Sequence, residues 1–153
     1  MRFSWWLIAV VIAFTSLFAT AAHSAPLSPE LQKGLDTSQY VYVQSERKDG
    51  TFGKPAEIWF LHHKGAVWVA TPTTTYRVKR IQAGQTKAKV AVGKASGPSF
   101  NAKGSIVKDP EVNTVMFETF AKKYPDGWAS FEKNFRDGLA NGSRVLIKYE
   151  PAE

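Results

Sequence analysis

From Gln39 the hydrophobic and polar positions alternate. In QYVYVQSER, Val41, Val43 and Ser45 fall on one face and Tyr40, Tyr42 and Gln44 on the other, the period-two pattern of a half-buried strand. A turn at KDGTFG, centred on Asp49-Gly50, leads to a second strand over PAEIWFLHH. HKG turns the chain into a third strand, AVWVAT, so the first three strands form a meander. The period then changes. Thr75 stands where it can cap a short helix in which Val78 and Ile81, three apart, face inward while Arg77 and Arg80 share a neighbouring face, and Gly84 ends it. TKAKVAVGK and FNAKGSIVK read as strands four and five, with Gly104 marking a bulge or a close backbone approach.

Helical spacing dominates the rest. Ser28-Pro29-Glu30 opens a short helix running to about Leu35, and Asp109-Pro110 opens one that buries Val112, Met116 and Phe120. A further helix over 127–140 places Trp128, Phe131, Phe135 and Leu139 on its apolar stripe. Asn141-Gly142 turns into the last strand, SRVLIKYE. Six short antiparallel strands with helices at the edges predict a mainly β domain built as a small barrel. Parallel βαβ units are excluded because the first three strands leave no room for crossovers.

The first two dozen residues stand apart. Arg2 precedes an apolar run from Trp5 to Phe18, and ATAAHSA supplies small residues. This is the pattern of a secretory signal peptide over 1–24, with cleavage near residue 21 or 24. The alternative is an uncleaved membrane anchor. The expected domain is then a single unit over 25–153, periplasmic or secreted. Absence of cysteine excludes disulfides and a lipoprotein anchor.

Charge narrows the chemistry. Arg2 is the one charged residue before position 25, so the remaining chain carries 19 basic side chains against 13 acidic ones. No carboxylate occurs between Glu57 and Asp109, an interval holding nine lysines and arginines. A field of one sign over a third of the chain favours an anionic partner. Nucleic acid is not expected behind an export signal, whereas weak contact with an anionic membrane surface through Lys87 and Lys89 is. His62-His63 lies at a hairpin turn, where adjacent side chains point to opposite faces, so no metal site is expected. The densest cluster is TPTTTYRVKRIQ. Its hydroxyls, the free N–H groups of a first helical turn and Arg77 supply the donors that a phosphate monoester needs. On spacing alone that reading and simple capping by Thr75 both stand.

The succession PAEIWF, GAVWVAT, TTTYRVKRIQ and GPSFNAKGSIVKDPE, then KKYP, resembles the pyridoxamine 5'-phosphate oxidase-like split barrels, nearest their flavin- or deazaflavin-binding branch. The resemblance spans roughly residues 39–149 and implies a six-stranded antiparallel Greek-key split barrel. It implies a homodimer with a flavin between subunits, FMN first, with a deazaflavin or no cofactor as alternatives. Thr71 matches the threonine that approaches the flavin, Thr75 the hydroxyl before the phosphate-binding cation, and Arg77 that cation. Lys79 and Arg80 match the basic pair that follows, and Trp59 and Phe60 the segment along the isoalloxazine. Gln82 stands where the family commonly has a basic residue, and the family's NP turn is missing. The resemblance implies an FMN-dependent oxidoreductase with no catalytic residue assigned. Its alternative is a non-catalytic binding or sensor module for a phosphate-bearing ligand or an anionic envelope surface.

Overall fold

Strand β1 (Val41–Ser45) forms where alternation predicts it, with Val41, Val43 and Ser45 buried. The fold, from a computed structural model, is described for residues 26–153, and the leader expected over 1–24 lies outside them. The strand expected over PAEIWFLHH is broken. Its first part, β2 (Ala56–Ile58), pairs with β1, and its second, β3 (Leu61–His63), pairs with β4 (Ala66–Pro72). Strands β5 (Lys87–Val92), β6 (Ser99–Val107) and β7 (Arg144–Pro151) complete one antiparallel sheet in the order β2-β1-β5-β6-β7-β4-β3. Among the described residues the count is therefore seven rather than six, because one expected strand is split at Trp59 and Phe60. Those two residues join opposite edges of the sheet, so it has to curl on itself into a split barrel.

A break in a strand frees backbone groups that must find partners elsewhere. Helix α3 (Pro110–Lys123) delivers them. The Phe60 N–H donates to Tyr124 Oη (3.2 Å), whose own hydrogen goes to the Gln39 carbonyl (2.7 Å). Lys123 Nζ donates to the Phe60 carbonyl (3.3 Å) and lies 3.4 Å from the centroid of the Phe60 ring. The KKYP segment thus pins both the break and the entry to β1.

Two cores follow from the alternation. Val41, Val43, Val67, Val69, Val90, Ile147 and Tyr149 fill the barrel, with Leu35 of α1 (Pro29–Thr37) and Val78 of α2 (Tyr76–Gln82). On the outer face Trp68, Ala70 and Leu146 pack against α3 and α4 (Pro125–Asn141) through Met116, Phe120, Trp128 and Phe135. Phe131, expected on the buried stripe, is 49% exposed. It meets Trp59 edge-on, centroids 5.8 Å apart, where the broken strand leaves nothing to cover it. Gly104 is a close approach and not a bulge. Register runs unbroken through it, and a Cβ would lie 2.9 Å from the Tyr149 ring and 3.0 Å from Ile81 Cδ1.

Candidate functional site

Odd-numbered residues of β4 face the barrel, and Thr71 is the last of them, 3% exposed. A tight turn follows, with the Thr75 N–H donating to the Pro72 carbonyl (3.1 Å). Thr75 Oγ1 donates to the same carbonyl (2.9 Å) and lies 3.3 Å from Thr71 Oγ1. A hydroxyl has one hydrogen, so Thr75, its proton committed to Pro72, accepts from Thr71. Thr75 occupies the N-cap of α2, but its side chain makes no capping bond. The expectation that it caps the helix is corrected on this point. Of the two hydroxyls, Thr71 is the one whose proton is held only by the longer bond, to Thr75.

The three cations of α2 part company. Arg77 is half-buried, with Nη1 out of solvent and, among the described residues, without a partner; the neighbouring Tyr149, 1% exposed, has its Oη equally unpartnered among them. Burial pulls the Arg77 guanidinium below its ordinary range, and burial pushes the Tyr149 phenol up to about 12 against the opposing pull of Arg77. Arg80 is committed to β1 through its Nη1, which donates to Ser45 Oγ (2.8 Å) and to the Ser45 carbonyl (3.2 Å). Lys79 is exposed, 5.9 Å from the ring of the exposed Tyr76. The shared face expected for Arg77 and Arg80 therefore serves two different partners.

Beside Thr71, on the outer side of the break, lies an open groove of about 360 Å³ lined by Tyr40, Ile58, Trp59, Thr71, Phe131, Phe135 and Arg144 among others. Trp59 is fixed from behind, stacked on Tyr124 with centroids 4.3 Å apart and planes 5° apart. Gly127 allows this, since a Cβ there would lie 2.8 Å from the indole. Phe60 does not reach the groove. It is 0% exposed inside the barrel, because successive extended residues point to opposite sides. Of the seven residues expected at the site, Trp59 and Thr71 share the groove and Thr75 adjoins it. Arg77 lies toward the barrel interior, Arg80 is tied to Ser45, Lys79 is in solvent and Phe60 is core.

The sequence reading missed Tyr40, Phe135 and Arg144 as groove residues. Arg144 opens β7, its Nη1 donates to the Ala70 carbonyl (3.0 Å), and its Cζ lies 4.2 Å from the Phe135 ring centroid. Burial lowers its pKa from the ordinary arginine value. In SRVLIKYE it reads as one more alternating polar residue, and only the packing of α4 turns it into a groove wall. Phe135 was legible as a buried helix residue, but not as a wall. The acid of the groove, Glu57, accepts a hydrogen bond from Tyr42 Oη. Elsewhere His62 Nδ1 lies 2.8 Å from Asp36 Oδ1. Among the described residues no group of three potential metal ligands occurs. The groove thus offers aromatic walls, the hydroxyl-bearing Tyr40 and Thr71, the Glu57 carboxylate held by Tyr42, and one half-buried cation, a set suited to holding a flat ligand with an anionic end at the arginine.

No protein-family model matches the sequence, and no curated protein does. Solved structures do match. A protein related to general stress protein 26, of the pyridoxinephosphate oxidase family, from Clostridium acetobutylicum shares 17% identity at a TM-score of 0.54, over 80% of this chain and 81% of its own. An F420 reductase shares 19% identity at a TM-score of 0.52, over 80% of this chain and 93% of its own. HutZ, the heme storage protein of Vibrio cholerae, shares 13% identity at a TM-score of 0.56, over 84% and 92%. The chain has the split-barrel fold of the pyridoxamine 5'-phosphate oxidase-like proteins.

Proposed function

We propose that this protein is an exported flavin-binding split barrel, a homodimer that takes FMN and carries out hydride transfer with a small substrate. The observation that carries the reading is the meeting of Trp59 and Thr71 in one groove, with Arg77, six positions after Thr71 but outside the groove lining, leaving a buried guanidinium nitrogen without a partner among the described residues. A buried, unpaired guanidinium N–H is costly unless an acceptor reaches it, and a phosphate supplies one. The residues fit the cofactor to this extent: Trp59 offers a flat face with Phe131 edge-on to it, Thr71 a hydroxyl whose proton can be redirected from Thr75, and Arg77, outside the groove lining, a cation for the phosphate. A bound flavin would supply the hydride chemistry. The chain's own part is to bind, orient and shield. Arg80 and Lys79 are not in the first rank, since one is committed to Ser45 and the other is solvated. A deazaflavin bound in the same groove is the nearest variant, in keeping with the F420 reductase that shares the fold. The groove is open on one side, with Phe131 exposed at its rim, and a second copy would close it.

The test is a titration of the purified protein with FMN and with riboflavin, followed by flavin fluorescence. Arg77→Met keeps the stem and removes the charge. A charge-assisted hydrogen bond contributes about 1.5–3 kcal/mol, so FMN should weaken by roughly 10- to 150-fold and riboflavin hardly at all. Equal weakening of both, or no quenching of FMN by the unaltered protein, refutes the reading.

A non-redox role on an anionic envelope surface is the second reading, favoured by one observation. Lys87 and Lys103 stand directly opposite each other on β5 and β6, both exposed, with Lys89 on the same outer face. Like charges so placed are unfavourable and an anionic surface would relieve them. Sedimentation with vesicles rich in phosphatidylglycerol, compared with neutral vesicles, decides it. Equal recovery from the two refutes it.

A further inference from the structure

Among the described residues Arg144 is the one cation in the groove wall, and its position is built by α4, the turn into β7 and the end of β4. Helix α4 ends at Gly142 in the left-handed conformation (φ 82°), and the Ser143 N–H is held by Asn141 Oδ1 (2.9 Å). The Ser143 carbonyl accepts from the Thr73 N–H (3.0 Å), tying the turn to the end of β4. Gly138 lies flush against the arginine, since a Cβ there would come within 2.8 Å of Arg144 Cβ. The guanidinium is thereby laid on Phe135, and one N–H is fixed by Ala70. Among the described residues no carboxylate lies within ion-pair distance of it. The acid in the groove, Glu57, is on β2 and bonded to Tyr42. A guanidinium offers five donors, and this one is preorganised, partly desolvated and without a counter-charge.

We propose that Arg144 is the anion anchor of the groove, and that the groove's ligand is a planar aromatic molecule lying against Trp59, bounded by Phe131, with a carboxylate or phosphate at its edge on Arg144. This rests on the groove being a ligand site, as in the reading above, but it assigns a residue outside the α2 cluster and a ligand class. Partial burial against Phe135 strengthens the interaction with an anion, because the cation has already lost part of its hydration when the ligand arrives.

The probes are 2-naphthoate and its neutral counterpart 2-naphthamide, with affinities measured on the full chain by titration calorimetry. The protein should bind the carboxylate at least tenfold more tightly than the amide, and Arg144→Gln should bring the two within twofold. Arg144→Lys keeps the charge but loses the fork, so it should restore part of the preference. In the unaltered protein, the Arg144 Nε–H NMR signal should move with naphthoate and stay with naphthamide, a readout that needs no variant to fold. No preference for the carboxylate, a preference that survives Arg144→Gln, or a stationary Nε–H signal overturns the proposal. The source of the anion is told by flavins. If Arg144→Gln also removes the preference for FMN over riboflavin, the anion is the flavin's phosphate. If that preference stays, the anion belongs to a separate substrate. Failure of the unaltered protein to bind FMN would sink the flavin reading and leave the naphthoate result standing.

Discussion

Tyr124→Phe removes one oxygen from the place where the barrel is split, and its cost can be worked from the two bonds that oxygen makes. Tyr124 Oη accepts from the N–H of Phe60 and donates to the carbonyl of Gln39. Phe60 is 0% exposed, so its N–H has no route to water once the hydroxyl is gone. Gln39 is exposed, so its carbonyl can be rehydrated at little cost. The loss is therefore that of one buried, unsatisfied donor, about 1–3 kcal/mol. Phenylalanine regains a little of it because no hydroxyl has to be desolvated, and about 2 kcal/mol should remain. The aromatic contacts are kept, since Trp59 stacks on the ring and not on the oxygen. The assay is thermal unfolding followed by far-UV circular dichroism, with amide exchange at Phe60 as the local readout. A domain of this size should lose about 8 °C in Tm for about 2 kcal/mol, and the Phe60 amide should lose protection beyond the global change. A Tm within about 2 °C of the unaltered protein, with Phe60 protection unchanged, would refute the reasoning.

Two further predictions follow from the same region. Burial lowers the Lys123 pKa to about 8 from its ordinary 10.5. Between those values the unfolded chain binds more protons than the folded one, so stability should rise with pH from 8 toward 10. Lys123→Met should flatten that rise in the urea midpoint, and an undiminished slope in the variant would show that Lys123 is not its source. Gly127→Ala would set a methyl 2.8 Å from the Trp59 indole. It should push the ring into the groove, shift tryptophan emission and weaken FMN, at an overpacking cost of about 1–3 kcal/mol. Unchanged emission and unchanged FMN affinity would mean that the indole is not held in place by that contact.

Much of the fold was legible because it is local. Alternation placed β1, the HKG turn set off the apolar run of β4, the Asp109-Pro110 pair opened α3, and the spacing of Val112, Met116 and Phe120 gave its buried stripe. Gly104 was legible as a special position, a bulge or a close approach, and packing against Tyr149 and Ile81 made it the latter. The break at Trp59 and Phe60 was not. Nothing in PAEIWFLHH marks it, because it arises from which edge each half pairs with, and edges exist only once the sheet has closed.

The site divides in the same way. The sequence by itself determined that hydroxyls and cations crowd the stretch from Thr71 to Arg80 and that no carboxylate is near them along the chain. Tertiary structure decided what each does. Thr75 gives its proton to Pro72, Arg80 turns to Ser45, Phe60 goes into the core, and Arg77 leaves a buried nitrogen unpaired. It also brought in Arg144, 67 positions beyond Arg77 by their residue numbers, to the groove that holds Trp59 and Thr71. The physical reason is range. Side-chain type and period are properties of a few consecutive residues, whereas desolvation and the choice of hydrogen-bond partner are set by whatever the closed barrel and its two covering helices place alongside.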